Sequence, residues 1–445
     1  MAITVQLIAL IMLLFVVNLY FLSKRKYGSM FSLAIIILTF IPPDAVGIIS
    51  GYAYSMGGKI NISIIGYDVL IIFLCMLMTG RTKIRNVSKG TFATVVGSLT
   101  FIFLFRLIVD GPDVFSNKLL DNYILPAVFA LLIITHLPSE EFPRVMQVFF
   151  ICTLINAMVA ASEVIIGRSL FLHDYYMSTN AWYQGIYSSS MWIQRMRGTA
   201  FLGHPLINGM YYVLGIVYLY HREETRRKIL WLFEFVILIG GVIASNSRGA
   251  ILIFLGYTAY FLLKRKDYVK AGIALLAVTF TMSIIDFDVL YQRLFSRDIS
   301  GSSMLHRFIS LAKFTQVPFL TSLIGTGFNN TYPILQKIGI SGNLENSYLI
   351  ILLEIGVFCF IAWIISFGCL YSKNMIQKYK NLNSRDMING MIMCMMGLAF
   401  SGNYFGDPGT LNYVLWTMFA MSCLLGERKL VNSIKYKSVS RKVFL

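Results

Sequence analysis

Three groups of arginines are the residues of this chain best suited to hold an anionic substrate. Arg195 and Arg197 stand two residues apart and precede Gly198, where a phosphate could approach the backbone closely. Arg248 lies in the polar run Ser245-Asn-Ser-Arg-Gly-Ala250, which interrupts a long apolar stretch. An arginine at membrane depth marks a functional site by default. The alternatives are loop charges near lipid headgroups and a hairpin whose arginine reaches those headgroups.

The third group surrounds a predicted amphipathic helix and consists of Arg293, Arg297, His306 and Arg307. Apolar residues recur at helical spacing after Ser302-Ser303, which predicts a helix that begins at these serines and stops at Pro318. His306, Ser310 and Lys313 fall on its polar face, and such a helix can rest on a membrane surface. An anionic substrate and a solvated helix face explain these charges equally well.

A carboxylate follows at the start of the next apolar block. Gly325-Thr-Gly-Phe328 leads to Glu345, Asn346 and Tyr348. A carboxylate at the mouth of a membrane span, opposite arginines, is a suitable general base facing an anionic leaving group. The alternative for Glu345 is a charge that complements the helix dipole.

The remaining polar residues have structural and functional interpretations. His204, which precedes Pro205, is either a structural hydrogen-bonding residue or a base. Glu163, Glu234 and Glu354 lie within apolar blocks and are expected to pair with interior polar groups. Each is also a candidate proton or ligand site.

These residues must be positioned by an unusually apolar chain. Of its 445 residues, 57% are hydrophobic and 13% are charged, whereas a soluble domain carries roughly 25% charged residues. The mean hydropathy is +0.70. Only a helix closes all its backbone hydrogen bonds inside a bilayer. The sequence therefore predicts an all-α, multi-pass transmembrane helical bundle of about 12–13 spans.

The spans are predicted to form a single integral membrane domain over residues 1–445. They are 3–22, 31–49, 60–79, 91–109, 120–137, 145–166, 201–220, 229–245, 248–263, 268–285, 346–371, 386–402 and 409–426. The external loops 167–200 and 286–345 are too long to be simple turns, and loops of this length are usually functional or disordered. Aromatic residues in the first loop suggest order, so we expect the external side to carry the function.

Most of the 38 lysines and arginines lie in alternate loops and in the tail 427–445. The positive-inside rule places these in the cytoplasm, with the N-terminus outside. The net charge of +17 is therefore a topology signal and does not indicate nucleic acid as a partner. The six cysteines fall inside predicted spans and suggest neither a disulfide nor a metal site. The sequence has no Walker-type loop, and we expect no cofactor or metal.

The order of these features resembles the superfamily of O-antigen polymerases (Wzy) and O-antigen ligases (WaaL). The resemblance covers roughly residues 195–370. It rests on an Arg-Gly…His-Pro segment, on Ser247-Arg248-Gly249-Ala250 in a broken apolar run, and on a large external loop with an Arg-bearing helix. That loop contains Gly-x-Gly and ends in Asn-x-Tyr-Leu…Glu-x-Gly.

The resemblance implies a GT-C-like membrane glycosyltransferase that needs neither nucleotide nor metal. Members of this family transfer glycan from undecaprenyl diphosphate at the periplasmic or outer face of the bacterial cytoplasmic (inner) membrane. By resemblance, Arg248 and Arg307 hold the diphosphate. The residue before Asn-x-Tyr-Leu is typically His in ligases, whereas here it is Glu345. This departure favours a polymerase and leaves the identity of the base open.

Our hypothesis from the sequence is a polysaccharide polymerase that transfers an undecaprenyl-diphosphate-linked glycan onto a lipid-linked repeat unit. The predicted catalytic residues are Glu345, Arg248 and Arg307. The predicted substrate-binding residues are Arg195, Arg197, His204, Arg293, His306, Asn346 and Tyr348. The expected partners are the lipid-linked oligosaccharide and the bilayer, and a chain-length regulator is left open.

Two rival functions remain. An O-antigen ligase would transfer the glycan to lipid A-core, and the sequence does not distinguish the two acceptors. A flippase or another transporter of lipid-linked oligosaccharides would show internal repeats and short external loops. We find no repeat in the sequence, and the length of the loop 286–345 argues against transport.

Overall fold

The computed structural model describes residues 5–42, 45–46, 62–79, 89–111, 117–171, 173–174, 197–222, 228–265, 272, 303–328, 330–340, 344, 346–376, 382–400 and 411–424. Within these ranges the structure is all-helical. The outcome agrees with the predicted fold class at this level.

In chain order the helices are α1 (Val5–Ser23), α2 (Tyr27–Phe40), α3 (Ile64–Met78), α4 (Lys89–Asp110), α5 (Leu120–His136), α6 (Phe142–Ile166), α7 (Pro205–His221), α8 (Lys228–Ser245), α9 (Arg248–Arg265), α10 (Ser303–Phe314), α11 (Phe319–Ile324), α12 (Thr331–Lys337), α13 (Ser347–Ile376), α14 (Leu382–Ala399) and α15 (Leu411–Leu424). The first turn of α5, Leu120–Ile124, is π-helical.

Four helices in the described ranges are long and apolar enough to cross a membrane. They are α1, α4, α6 and the part of α13 from Ser347 to Tyr371. Five further apolar helices are shorter: α2, α3, α5, α15 and the part of α8 from Ile229 to Ser245. The chain is therefore a helical membrane protein. The predicted span 268–285 lies outside the described residues, apart from Gly272.

Several predicted boundaries differ from the structure, and the local sequence or hydrogen bonding explains two of them. The second predicted span, 31–49, is displaced, because α2 begins at Tyr27 and ends at Phe40. Pro42 and Pro43 follow, and proline disfavours the helical conformation in the residue before it. The amphipathic helix α10 ends at Phe314 rather than at Pro318. The amides of the next three residues donate to backbone oxygens three residues earlier, which is the pattern of the tighter 3₁₀ helix and not of the α-helix.

The distribution of side chains is that of a protein surrounded by lipid. Ile108, Ile165 and Leu263 are largely exposed, whereas Asn156 and Asp68 are completely buried. On α10, Ile309 and Leu311 are exposed while Ser310 is buried, and Lys313 donates to the backbone oxygen of Gly339 at 2.6 Å. Ser310 and Lys313 of this helix thus contact the protein, whereas Ile309 and Leu311 are turned outward.

Helix α7 lies at the centre of one half of the bundle, where it packs against α6, α8, α9 and α14. Small residues allow these helices to approach closely, as is common in membranes. A Cβ atom added to Gly241 of α8 would lie 2.7 Å from the Cβ of Ala157 and 2.9 Å from the ring of Tyr212. Helix α13 packs along α4 in the same way that α7 packs along α8.

Candidate functional site

The turn between α8 and α9 is shaped by its polar residues. Asn246 has a φ of 49°, in the left-handed region that asparagine tolerates better than most residues. The Ser247 hydroxyl accepts a hydrogen bond from the amide of Ala250 at 3.3 Å and so caps α9. The Ser245 hydroxyl donates to the backbone oxygen of Val242 at 2.6 Å. The turn itself therefore explains these polar residues, and the half-buried Arg248 at the start of α9 is its charged member.

The segment before α7 is held by a carboxylate of α6. Glu163 is completely buried and accepts hydrogen bonds from the amides of Thr199 and Ala200, each at 2.7 Å. It also accepts from the amide of Leu170 at 2.9 Å and from the hydroxyl of Ser169 at 3.0 Å. Several hydrogen bonds to one charged group are strong and directional. Glu163 therefore fixes the backbone near both ends of the loop 167–200.

Two buried asparagines hold the same segment from α6 and α7. The side-chain oxygen of Asn156 accepts from the amide of Phe201 at 3.1 Å, and its amide group donates to Asn208 at 2.7 Å. Asn208 in turn donates to the backbone oxygen of Thr199 at 2.6 Å. Unpaired polar groups are costly in an apolar environment. The network therefore favours one position of this segment relative to both helices.

The segment that carries Arg197 is bonded directly to the end of the helix that precedes Arg248. The amide of Gly198 donates to the backbone oxygen of Ala244 at 2.9 Å. Arg197 is half-buried, and its charge acts on His204 at the start of α7. The structure thus brings together two segments that the sequence separates by α7 and almost all of α8.

Close packing of α7 against the turn reinforces this arrangement. A Cβ atom added to Gly209 of α7 would lie 2.8 Å from the hydroxyl oxygen of Ser245 and 2.9 Å from the Cβ of Ala250. Only a glycine leaves room for this approach without movement of a neighbour. The first turn of α7 and the first turn of α9 are consequently held side by side.

The first turn of α13 carries two other predicted binding residues. The side-chain oxygen of Asn346 accepts from the amides of Tyr348 and Leu349 at 3.1 and 3.2 Å, so Asn346 caps this helix. The Tyr348 hydroxyl donates to the backbone oxygen of Met396 at 2.8 Å, and its ring packs against Phe400 with centroids 4.5 Å apart. Asn346 therefore has its partners in the first turn of α13, and Tyr348 has its partners at the end of α14.

Helix α14 connects this turn to α9. A Cβ atom added to Gly397, near the end of α14, would lie 3.0 Å from the side chain of Ile253, near the start of α9. The segment of Arg197 before α7, the start of α9 with Arg248 and the start of α13 with Tyr348 consequently lie at one end of the bundle. This is the end that the sequence assigns to the external side.

A second polar centre surrounds Arg106, which is completely buried near the end of α4. Its Nε donates to Asp110 at 2.8 Å, Nη2 also bonds to Asp110, and Nη1 donates to the backbone oxygen of Ile324 at 2.7 Å. Gly325, next in the chain, lies against Gly356, where the backbone of α13 is not helical (φ 79°, ψ 164°). Arg106 therefore anchors the Gly-x-Gly segment, Gly325-Thr-Gly327, to a break within α13.

Amides of that segment occupy backbone oxygens that the break leaves without helical partners. Thr326 donates to Leu353 at 2.7 Å and Gly327 donates to Glu354 at 3.2 Å. The Glu354 side chain pairs with Lys118 at 3.2 Å and with the hydroxyl of Tyr123 at 3.2 Å. The Gly-x-Gly and Glu-x-Gly motifs are thus two sides of one contact.

The expectation that the three intramembrane glutamates pair with interior polar groups is confirmed. Glu163 binds backbone amides and Glu354 binds Lys118, as described above. Glu234 forms a two-bond pair with Arg222, at 3.1 and 2.6 Å. Each of these acids stabilises the bundle through a defined partner.

Several predicted site residues lie outside the part of the chain that can be described. Arg195, Arg293 and Glu345 are outside the described ranges, and α10 is described only by its backbone at His306 and Arg307. The proposed clamp and base therefore stay predictions for these residues.

Sequence reasoning missed the residues that position the site. Arg106, Asn156 and Asn208 were not singled out, although each falls inside a predicted span. The sequence did contain a signal for these residues. Polar and ionisable side chains within apolar blocks are costly and generally have a specific partner.

No protein-family model matches the chain, and no curated protein matches its sequence. The assignment of a function accordingly rests on the chemistry of the residues and on where the fold places them.

Proposed function

We propose that the chain is a polysaccharide polymerase of the cytoplasmic membrane. It transfers a growing glycan from undecaprenyl diphosphate to the terminal sugar of a new lipid-linked repeat unit. The reaction takes place at the external face, within a GT-C-like helical bundle, and uses no nucleotide or metal. The N-terminus lies outside and the basic tail lies in the cytoplasm.

The observation that carries this proposal is the hydrogen bond between Gly198 and Ala244. It joins the segment of Arg197 to the turn of Arg248 at one end of an apolar bundle. Guanidinium groups bind phosphate oxygens with paired hydrogen bonds and stabilise the charge that develops on a departing diphosphate. Two such groups at the end of a membrane protein suit a lipid whose chain stays in the bilayer.

In this mechanism Glu345 accepts the proton of the acceptor hydroxyl. The acceptor oxygen forms a bond to the anomeric carbon of the donor sugar while the bond from that carbon to the phosphate oxygen breaks, with inversion. The diphosphate leaves with the electron pair and is stabilised by Arg248 and Arg307. Arg197 and Arg293 provide secondary contacts to it.

The remaining residues bind or position the substrate. Arg195, His204 and His306 contact its polar groups. Asn346 follows Glu345 directly and Tyr348 follows it by three positions. Their bonds to the first turn of α13 and to α14 fix the start of the helix that Glu345 precedes in the sequence. They are therefore positioning residues for the base as well as candidate contacts.

The apolar outer surface supports lateral access for a lipid-linked substrate. The outward apolar face of α10, with Ile309 and Leu311 exposed, suits a helix that rests on the membrane beside the site. Undecaprenyl chains enter between helices from the bilayer, so the reaction requires no aqueous pore.

The test uses the purified chain in detergent with one synthetic undecaprenyl-diphosphate repeat unit, without nucleotide sugar, metal or lipid A-core. Products are resolved by mass. We expect a ladder spaced by one repeat unit, lost in Arg248→Ala and retained in Arg144→Ala, an exposed arginine at the start of α6. Absence of a ladder with a verified native repeat unit contradicts polymerisation, and transfer on addition of lipid A-core would identify a ligase instead.

A further inference from the structure

A carboxylic acid and an amide face each other between α1 and α3. Asn18 of α1 and Asp68 of α3 are both completely buried. The Nδ2 of Asn18 donates to Oδ1 of Asp68 at 2.7 Å. This contact joins two helices whose other facing residues are apolar.

Each of the two side chains has one buried oxygen without a hydrogen-bond partner. These atoms are Oδ1 of Asn18 and Oδ2 of Asp68, and neither has a partner among the described residues. Both atoms are acceptors when Asp68 is ionised, so neither can satisfy the other. A buried polar atom without a partner is costly, and a buried ionised carboxylate without a cation is far more so.

The surroundings supply no positive charge among the described residues. Helices α1, α2 and α5 pack against α3, and none of these four helices contains lysine or arginine. The titratable groups on which Asp68 acts are Cys75 on α3 and Tyr413 on α15. The Tyr413 hydroxyl in turn donates a hydrogen bond to a second acid, Asp121.

We infer that Asp68 and Asn18 form an intramembrane proton-binding site, in which a proton on Oδ2 of Asp68 is donated to Oδ1 of Asn18. One proton converts both unpartnered acceptors into a hydrogen-bonded pair and removes the buried charge. The result is a neutral acid–amide pair with two parallel hydrogen bonds. The second of these hydrogen bonds between α1 and α3 exists only while the proton is bound.

Asp121 provides an internal contrast. It accepts from the amide and the hydroxyl of Ser63, each at 2.8 Å, and from the hydroxyl of Tyr413 at 3.2 Å. It also lies at the N-terminal end of α3, where the helix dipole stabilises negative charge. These partners suit a carboxylate, whereas those of Asp68 suit an acid. Two neighbouring buried acids thus hold different protonation states.

This site is separate from the proposed glycan transfer and is tested without it. Infrared difference spectra are recorded for the full chain in lipid nanodiscs in D₂O, wild type minus Asp68→Asn. We expect the carbonyl stretch of a protonated carboxylic acid to disappear in Asp68→Asn. In Asp121→Asn, the matched control, we expect loss of a carboxylate band. Loss of a carboxylate band in Asp68→Asn overturns the proposal.

Thermal unfolding provides a second and independent readout. Asp68→Asn and the exchange variant Asn18→Asp with Asp68→Asn keep two complementary groups, so both should fold with at least half of the wild-type yield. Asn18→Leu removes the acceptor of the proton and should unfold at a lower temperature. An Asp68→Asn chain that fails to fold contradicts the proposal, because an amide should replace a neutral acid.

The pH and salt dependence separate a proton from a metal ion. The wild type should lose stability as rising pH removes the proton, and Asp68→Asn should lose that dependence. Stability should be equal in sodium chloride and in choline chloride. Stabilisation by sodium that disappears in Asp68→Asn would assign the site to a sodium ion and overturn the inference.

Discussion

Gly325 and Gly356 lie so close that a Cβ atom on Gly325 would be 2.6 Å from the backbone nitrogen of Gly356. Gly356 has a φ of 79° and a ψ of 164°, a conformation that is essentially restricted to glycine. The two glycines are 31 positions apart in the sequence, yet each is required at its place by the other.

Replacement of Gly356 by alanine should therefore destabilise the protein by more than about 2 kcal/mol, from backbone strain and from collision with Ile324. Gly368→Ala lies on the same helix in open space and should be neutral or stabilising by up to about 1 kcal/mol. Denaturant unfolding of both variants in the same detergent measures the difference. Equal stability of the two would show that the break at Gly356 is not needed.

Glu163→Gln should loosen the segment that carries Arg197. The glutamine turns an NH₂ group or a weaker acceptor toward the amides of Thr199 and Ala200, in place of hydrogen bonds to a charged group worth about 1.5–3 kcal/mol each. We expect lower stability and slower glycan transfer. Glu140→Gln, at an exposed site, should change neither the unfolding temperature nor the rate of ladder formation. An unchanged rate of glycan transfer in Glu163→Gln would show that the position of the Arg197 segment does not affect the reaction.

Replacement of Ser247 should lower the stability of the protein, whereas replacement of its neighbour Arg248 should lower the reaction rate. Ser247→Ala removes a helix cap and should cost about 0.5–2 kcal/mol of stability, while product formation per folded molecule stays near wild type. Arg248→Ala should keep its stability and lose about 10²–10³-fold in rate. Arg248→Lys should recover only part of the rate, since an ammonium group cannot reproduce the two parallel bonds. Full activity of Arg248→Ala in initial-rate assays would exclude its proposed role.

The Arg106–Asp110 pair should show strong coupling in a double-mutant cycle. Asp110→Leu leaves a buried guanidinium with only the oxygen of Ile324 as its described partner, which should cost about 3–5 kcal/mol. The double variant Arg106→Leu with Asp110→Leu should be more stable than Asp110→Leu alone, because no charge is left without its counter-ion. Additive effects in denaturant unfolding would indicate that the two charges act independently.

The sequence predicts most helices because long apolar blocks have few alternatives in a bilayer. The cap at Ser247 and the burial of Glu163 also follow from local patterns. The partners of these residues do not, since Glu163 binds Thr199 across an entire external loop and Arg106 binds Ile324 from the other half of the chain. The end of α2 was predicted wrongly because hydropathy continues through Pro42, whereas backbone geometry does not.

The break at Gly356 divides α13 into two unequal arms with separate anchors. The short arm, from Ser347 to Ile355, is fastened at its inner end by Thr326 and Gly327. Its outer end holds Tyr348 against α14. Because these anchors act on the short arm, we expect a displacement of the Gly-x-Gly segment to tilt the short arm about the break more than the long arm, and with it the residues at the start of α13.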